Sequence, residues 1–224
     1  MKQAKIFLAD ERGVTETEWF RSYNTFNFGN YYSLHKMPAE KLYVCNDDTL
    51  AGGKQFSLSV DETTAILILP VAGAVEFASA KYGSTIINAG QLFSITLQKG
   101  DAFTITNPYE NELVNFLQLW LTTDEVTDVP KLLSFNIDAE KNELVTLPHF
   151  LPIAITKLNG RSEVVYKPLA KNNCVFAFVI QGAFEMEGVL LHTRDGVAFW
   201  NYEQAEMEAL SNDAIILLLE MKLD

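Results

Sequence analysis

Residues 69–77 read LPVAGAVEF, and residues 178–186 read FVIQGAFEM. Both follow one pattern: apolar, any, apolar, any, Gly-Ala, apolar, Glu, apolar. From Gly73 to Gly182 is 109 residues. Each glycine is followed by a second one that heads an apolar run: Gly90 before Gln91-Leu92-Phe93, and Gly196 before Val197-Ala198-Phe199-Trp200. That offset is 106. Two matches in order, at nearly the same spacing, argue for a duplicated β-domain. The polar stretch TTDEVTDVP (122–130) is the natural start of a crossover, so the halves are expected at 1–125 and 126–224.

The segments around these landmarks read as strands. FSLSV (56–60), STIINAGQLFSITL (84–97), AFTIT (102–106) and LVNFLQLWL (113–121) are rich in β-branched, aromatic and leucine residues, with Gly, Asn, Asp and Pro between them. EQAEMEAL (203–210) looks helical in composition, but Ala205, Met207 and Ala209 alternate with charged residues and suit a half-buried strand. The expectation is an all-β chain of two barrels.

Composition narrows the function classes. Of 224 residues, 48% are hydrophobic and 21% charged, which excludes a disordered chain. A net charge of −12 without a basic cluster argues against direct nucleic-acid binding. Cys45 and Cys174 make no disulfide framework. The apolar run near the start, Ile6 to Ala9, is too short for a signal peptide, and Ala65 to Val75 is broken by Pro70 and Gly73, so no membrane segment is expected. A cytoplasmic monomer is the default.

The chemical motifs are sparse. Gly52-Gly53-Lys54 lacks the spacing of a phosphate loop, and G-x-S-x-G, H-E-x-x-H and C-x-x-C are all missing. His35, His149 and His192 are the only histidines and stand far apart. Glu110 and Glu112 read as a solvated turn. Asp47-Asp48 reads as turn geometry through Asx-type bonds.

ERG (11–13) with Trp19, YNTFNFGNYY (23–32), VCNDD (44–48), GGKQF (52–56) and FLQLWL (116–121) together resemble pirin, and more closely the bacterial pirin-like proteins that include quercetin 2,3-dioxygenases. EGVLLHTRDGVAFWN (187–201) and AIILLLEM (214–221) continue the resemblance. It implies a bicupin: two cupin-type, RmlC-like jelly-roll barrels in one chain. It also implies an iron ion in the N-terminal barrel, on three histidines and a glutamate. Two of the histidines follow a Gly-rich turn as His-x-His; the other pair precedes Asn-Pro.

By that resemblance the ligand positions here fall on Ser59 and Asp61, and on Phe103 and Ile105 before Asn107-Pro108. No histidine lies between residues 36 and 148, so a shift of a few residues does not restore the set. The expected protein therefore has no metal cofactor and no catalytic residues. It is read as a non-catalytic binder of a small apolar or aromatic ligand, with Ser59, Asp61, Phe103 and Ile105 lining the pocket. A role as a coregulator acting through a protein partner is a further reading. The alternative is a dioxygenase of the quercetinase type.

Overall fold

Alternation of apolar and polar residues turns nearly every punctuated segment into an antiparallel strand. The computed structural model describes residues 2–126 and 129–223. After β1 (Gln3–Phe7), the first barrel runs through β2 (Gly13–Glu16), β3 (Phe20–Asn24), β4 (Leu42–Leu50), β5 (Gln55–Ser59), β6 (Thr64–Ala72), β7 (Ala74–Ser79), β8 (Gly83–Asn88), β9 (Gln91–Leu97), β10 (Ala102–Thr106), β11 (Val114–Thr122) and β12 (Lys131–Ser134). The second barrel adds β13 (Val145–Leu147), β14 (Ile153–Leu158), β15 (Glu163–Tyr166), β16 (Cys174–Gln181), β17 (Phe184–Met186), β18 (Val189–Leu191), β19 (Gly196–Trp200), β20 (Ala205–Ala209) and β21 (Ala214–Met221). Helix among the described residues is confined to two 3₁₀ turns, Ala9–Glu11 and Leu34–Lys36. No helix of the described residues is long and apolar enough to cross a membrane.

Each barrel closes a large sheet over a small one. The first has the order β12-β9-β6-β11-β4-β3-β2 against β5-β10-β7-β8. The second has β1-β19-β16-β21-β14-β13 against β15-β20-β17-β18. Strand for strand, β6, β7, β9 and β11 correspond to β16, β17, β19 and β21, so the repeated Gly-Ala motif marks one corner in both barrels. There the chain leaves the large sheet for the small one. Gly73 and Gly182 take φ of +80° and +79°, a region that glycine enters without steric cost. A Cβ on Gly182 would sit 2.4 Å from Ser211 Oγ.

The expected boundary at 125/126 needs correcting at both ends. The compact units are Arg12–Ser134 on one side, and Met1–Glu11 with Phe135–Asp224 on the other. β1 pairs with β19, Gln3 opposite Trp200 through Phe7 opposite Gly196. β12 pairs with β9 in the first barrel. In each case the added strand covers the open edge of a large sheet, whose N–H and C=O groups would otherwise lie unpaired. Asp195, 3% exposed, fastens the N-terminal segment to the second barrel: its carboxylate accepts from Ala9 N (2.7 Å) and His192 N (2.8 Å).

The inward faces of the strands are mostly apolar, by period two. In the first barrel Ile66, Ile68, Val75, Phe77, Phe93, Ile95, Phe103, Ile105, Phe116 and Trp120 form the core. In the second, Val175, Val179, Phe184, Met186, Val197, Phe199, Met207, Ile216 and Leu218 do. EQAEMEAL is the strand β20, with Ala205, Met207 and Ala209 buried.

Candidate functional site

β5 and β10 pair directly. Leu58 lies opposite Phe103, and Phe56 opposite Ile105. Because i and i+2 share a face, these four side chains form one apolar quartet on the inside of the small sheet. Phe103 (2% exposed) and Ile105 (0%) are core residues, while Phe56 and Leu58 are half-buried and pack against the core. Phe103 stacks on Phe77, with centroids 5.2 Å apart at 17°, and meets Trp120 edge-on at 5.6 Å.

Ser59 and Asp61 are not part of this face. Both are exposed. Ser59 is the last residue of β5 and points outward with Ser57, and Asp61 lies beyond the strand. The expected placement was one residue out of phase with Leu58, and on a strand a one-residue slip exchanges inside for outside. The hydrophobic pair Phe56 and Leu58 wins the inward positions because burying each contributes about 1.5–3 kcal/mol. Gly52 and Gly53 set up the strand by packing on the turn that follows Asn107-Pro108. A Cβ on Gly52 would fall 2.3 Å from Glu110 O, and Gly53 N donates to Tyr109 O at 2.6 Å.

Across from the quartet, the large sheet carries polar side chains inside the barrel. β4 alternates Val44, Asn46, Asp48 and Leu50 on its inward face, all buried. Asp48 is opposite Ser22 on β3 and Phe116 on β11; Asn46 is opposite Asn24 and Gln118. The result is a patch of Ser22, Asn24, Asn46, Asp48 and Gln118, each at most 2% exposed. Gln118 Nε2 donates to Asp48 Oδ2. Gln118 Oε1 accepts from Trp120 Nε1 at 3.3 Å, and Asn24 Nδ2 donates to Ser22 Oγ at 2.9 Å. Four side-chain atoms of the patch have no hydrogen-bond partner among the described residues: Asn24 Oδ1, Asp48 Oδ1 and both amide atoms of Asn46. Burial pushes the Asp48 carboxyl up to about 7, against the pull of its hydrogen bonds from Ser22 and Gln118 and with the help of the Asp47 charge.

Part of the patch and half of the quartet line a cavity of about 260 Å³; none of Ser59, Asp61, Phe103 and Ile105 is among its lining residues. Asn46, Asp48, Gln118 and Ser22 line one wall, and Phe20, Phe28, Phe56 and Leu58 the other. The rings of Phe20 and Phe56 lie 4.7 Å apart and Phe28 meets Trp120 edge-on at 5.8 Å. Exposed Thr15, Gly29, Asn30 and Ser57 form the mouth.

The expectation that Asp47-Asp48 shapes a turn is overturned, since both lie in the middle of β4. Asp47 points to the other face, where it accepts from Arg12 Nη1 (3.2 Å) and Asn115 Nδ2 (2.7 Å). The signal for Asn46 and Asp48 was present in the alternation. Polar residues occupy the inward phase set by Val44 and Leu50, and Gln118 does the same between Phe116 and Trp120.

The remaining candidates do not come together. His35 and His192 are exposed, and His149 Nδ1 accepts from Leu151 N at 3.1 Å. Glu110 and Glu112 are exposed in the turn after Pro108, and Cys45 and Cys174 are buried. Among the described residues, no three or more of His, Cys, Asp and Glu gather to hold a metal ion.

Comparisons with known proteins agree with this architecture. Residues 138–221 match the family of the quercetinase C-terminal cupin domain. The chain is 25% identical over 219 residues to a quercetin 2,3-dioxygenase of Escherichia coli K12, covering 93% of this chain and 95% of that one. It is 23% identical over 140 residues to the pirin-like protein YhaK of the same organism, covering 62% and 60%. Among solved structures, YhhW from Escherichia coli superposes with a TM-score of 0.84 over 99% of both chains at 23% identity. A nickel(II) complex of YhhW superposes with a TM-score of 0.81, covering 99% of this chain and 100% of that one.

Proposed function

The chain is a pirin-like bicupin, and from that premise we propose that it binds a small ring-shaped ligand in its first barrel without a resident metal ion. The family to which its relatives belong implies a metal centre on the strands that correspond here to β5 and β10. The observation that carries the proposal is the identity of the inward residues of those two strands: Phe56, Leu58, Phe103 and Ile105. Iron or nickel needs nitrogen, oxygen or sulfur donors, and these side chains have no lone pairs to give. The residues present do not fit the group. Asp48 and the amides across the cavity offer a single carboxylate, too little charge for a tight oxygen-ligated site.

What the cavity does offer is an aromatic wall facing a polar one. A dry cavity of about 150 Å³ holds a benzene ring, so about 260 Å³ admits one ring with its substituents. Oxygenase chemistry of the quercetinase type has no metal to act through in this donor set.

Protein purified from medium supplemented with iron or nickel is expected to carry well under one equivalent of transition metal per chain by elemental analysis. It is also expected to leave quercetin unoxidised above a protein-free blank. A stoichiometric metal together with turnover that chelation abolishes would restore the dioxygenase reading.

A further inference from the structure

The cavity of the first barrel has walls of two kinds. Most of its lining comes from β2, β3, β4, β5 and β11, strands held in place by ladder hydrogen bonds. The exception is Phe28-Gly29-Asn30, which lies outside every sheet. These residues form the tip of a loop, closed as a two-residue hairpin. Phe28 N donates to Tyr31 O at 3.3 Å, and Tyr31 N donates to Phe28 O at 3.0 Å. Gly29 takes φ of +56° at the first turn position, where glycine is favoured. Both bonds are internal, so the tip can move as one piece without breaking them. Its root is fixed. Asn27 N donates to Lys36 O (3.0 Å), Ser33 N donates to Asn27 Oδ1 (2.7 Å), and Phe26 and Lys36 are buried.

Two aromatic contacts hold the tip against the barrel. The Phe28 ring meets Trp120 edge-on at 5.8 Å. The Tyr31 ring lies against Gly13 of β2, where a Cβ would fall 2.3 Å from Cδ1 and Cγ of that ring. Gly13 stands in a regular strand pair opposite Asn24, so the ring, not the backbone, demands a glycine there. Gly29 and Asn30 are exposed, and Phe28 and Tyr31 only half-buried. Segments with so little buried contact are the ones that open locally while the core stays folded.

We infer that the hairpin Phe28–Tyr31 is a gate over the first-barrel cavity, latched by Tyr31 on Gly13 and swinging on its root at Asn27 and Ser33 to let a ligand pass. Its purpose rests on the small-ligand reading above; its geometry does not.

Hydrogen exchange on the full chain reads the gate without a ligand. The Trp120 indole N–H, on a residue 4% exposed beneath Phe28, is the reporter, and the Leu119 amide in the same strand is the reference. The indole is expected to exchange through an opening at least tenfold more frequent than the one that frees Leu119, and insensitive to urea below the unfolding transition. Gly13→Ala, which lifts the Tyr31 ring, and Tyr31→Ala, which removes it, are each expected to raise indole exchange at least tenfold and to leave Leu119 within threefold. Indole exchange that tracks Leu119 in urea, or that neither variant raises, would make the hairpin a fixed wall and overturn the gate. Nitrobenzene, a neutral single ring followed by NMR exchange broadening, separates the gate from the ligand reading. Both variants are expected to speed its association and dissociation at least tenfold with Kd within threefold, because unlatching lowers a barrier common to entry and exit. Binding with rates unchanged in both variants overturns the gate and leaves the small-ligand reading standing. Indole exchange as expected, with no nitrobenzene bound at millimolar concentration, keeps the gate and removes the small-ligand reading.

Discussion

Each barrel buries a carboxyl group on its large sheet, and the two are treated in opposite ways. Glu220 on β21 of the second barrel is saturated. It accepts from Tyr166 Oη (2.7 Å), from Leu169 N (2.8 Å) and from Asn173 Nδ2. These bonds tie the segment after β15 to the sheet, and burial together with Glu220 drives the Tyr166 hydroxyl pKa upward. Asp48 on β4 of the first barrel has one oxygen engaged and the other without a partner among the described residues. A carboxylate with all its lone pairs matched is a fastening. One left half-matched costs stability that nothing within the barrel returns.

The largest expected effect is on pH dependence. The Asp48 carboxyl sits near 7 in the folded barrel against 3.8 for the unperturbed group. Between those values the folded state keeps a proton that the unfolded state has lost. Stability therefore falls as pH rises toward 7 and levels off above it. From pH 5 to pH 8 this one group is expected to remove about 3 kcal/mol. Asp47, paired with Arg12, is common to the wild type and to Asp48→Asn and cancels in the difference. Urea denaturation of both proteins at the two pH values measures it. A variant that loses as much stability as the wild type would place the origin of the slope elsewhere.

A smaller effect separates the two carboxyls directly. Glu220→Gln sets an NH₂ group against a donor in a saturated shell, and is expected to cost about 2 kcal/mol, the range for an unmatched buried donor. Asp48→Asn can place its NH₂ where Oδ1 is already open. At pH 5 it is expected to lie within about 1 kcal/mol of the wild type. Equal losses in thermal melts would mean that both groups are fastenings, and the contrast between the barrels would vanish.

The duplicated architecture was legible because the Gly73 and Gly182 corners repeat a local pattern, and alternation alone was enough to read β20 as a strand. The exchange of β1 and β12 was not, because partners such as Gln3 and Trp200 leave no mark on each other's sequence. At the site, Phe103 and Ile105 were read as lining a pocket, and the structure buries both in the core. The phase of β5 was lost because residues 55–61 offered two registers, and a family spacing was followed where Phe56 and Leu58 decide by burial. Asp47-Asp48 was read as a turn because polar runs of this kind usually are. The neighbouring strands, by putting Gln118 and Ser22 beside Asn46 and Asp48, show that these two lie inside the barrel while Asp47 points to the other face.

The smallest expected effect concerns Asn46, and it has the opposite sign to most core substitutions. Its side chain is 1% exposed, and neither amide atom has a partner among the described residues. Leu is close to it in size. Asn46→Leu removes a desolvation penalty of roughly 1–3 kcal/mol, and it adds apolar contact to a face that already holds Val44 and Leu50. Against that stands Leu's different branching in a strand flanked by Asn24 and Gln118, where misfit typically costs about 1 kcal/mol. The net expectation is a gain of about 1 kcal/mol, a rise in Tm of roughly 2–4 °C for a chain of this size. No polar residue saturated in the manner of Glu220 would respond so. A fall of several degrees would mean that Asn46 is held as firmly as Glu220, and that the open wall of the first barrel is scaffolding.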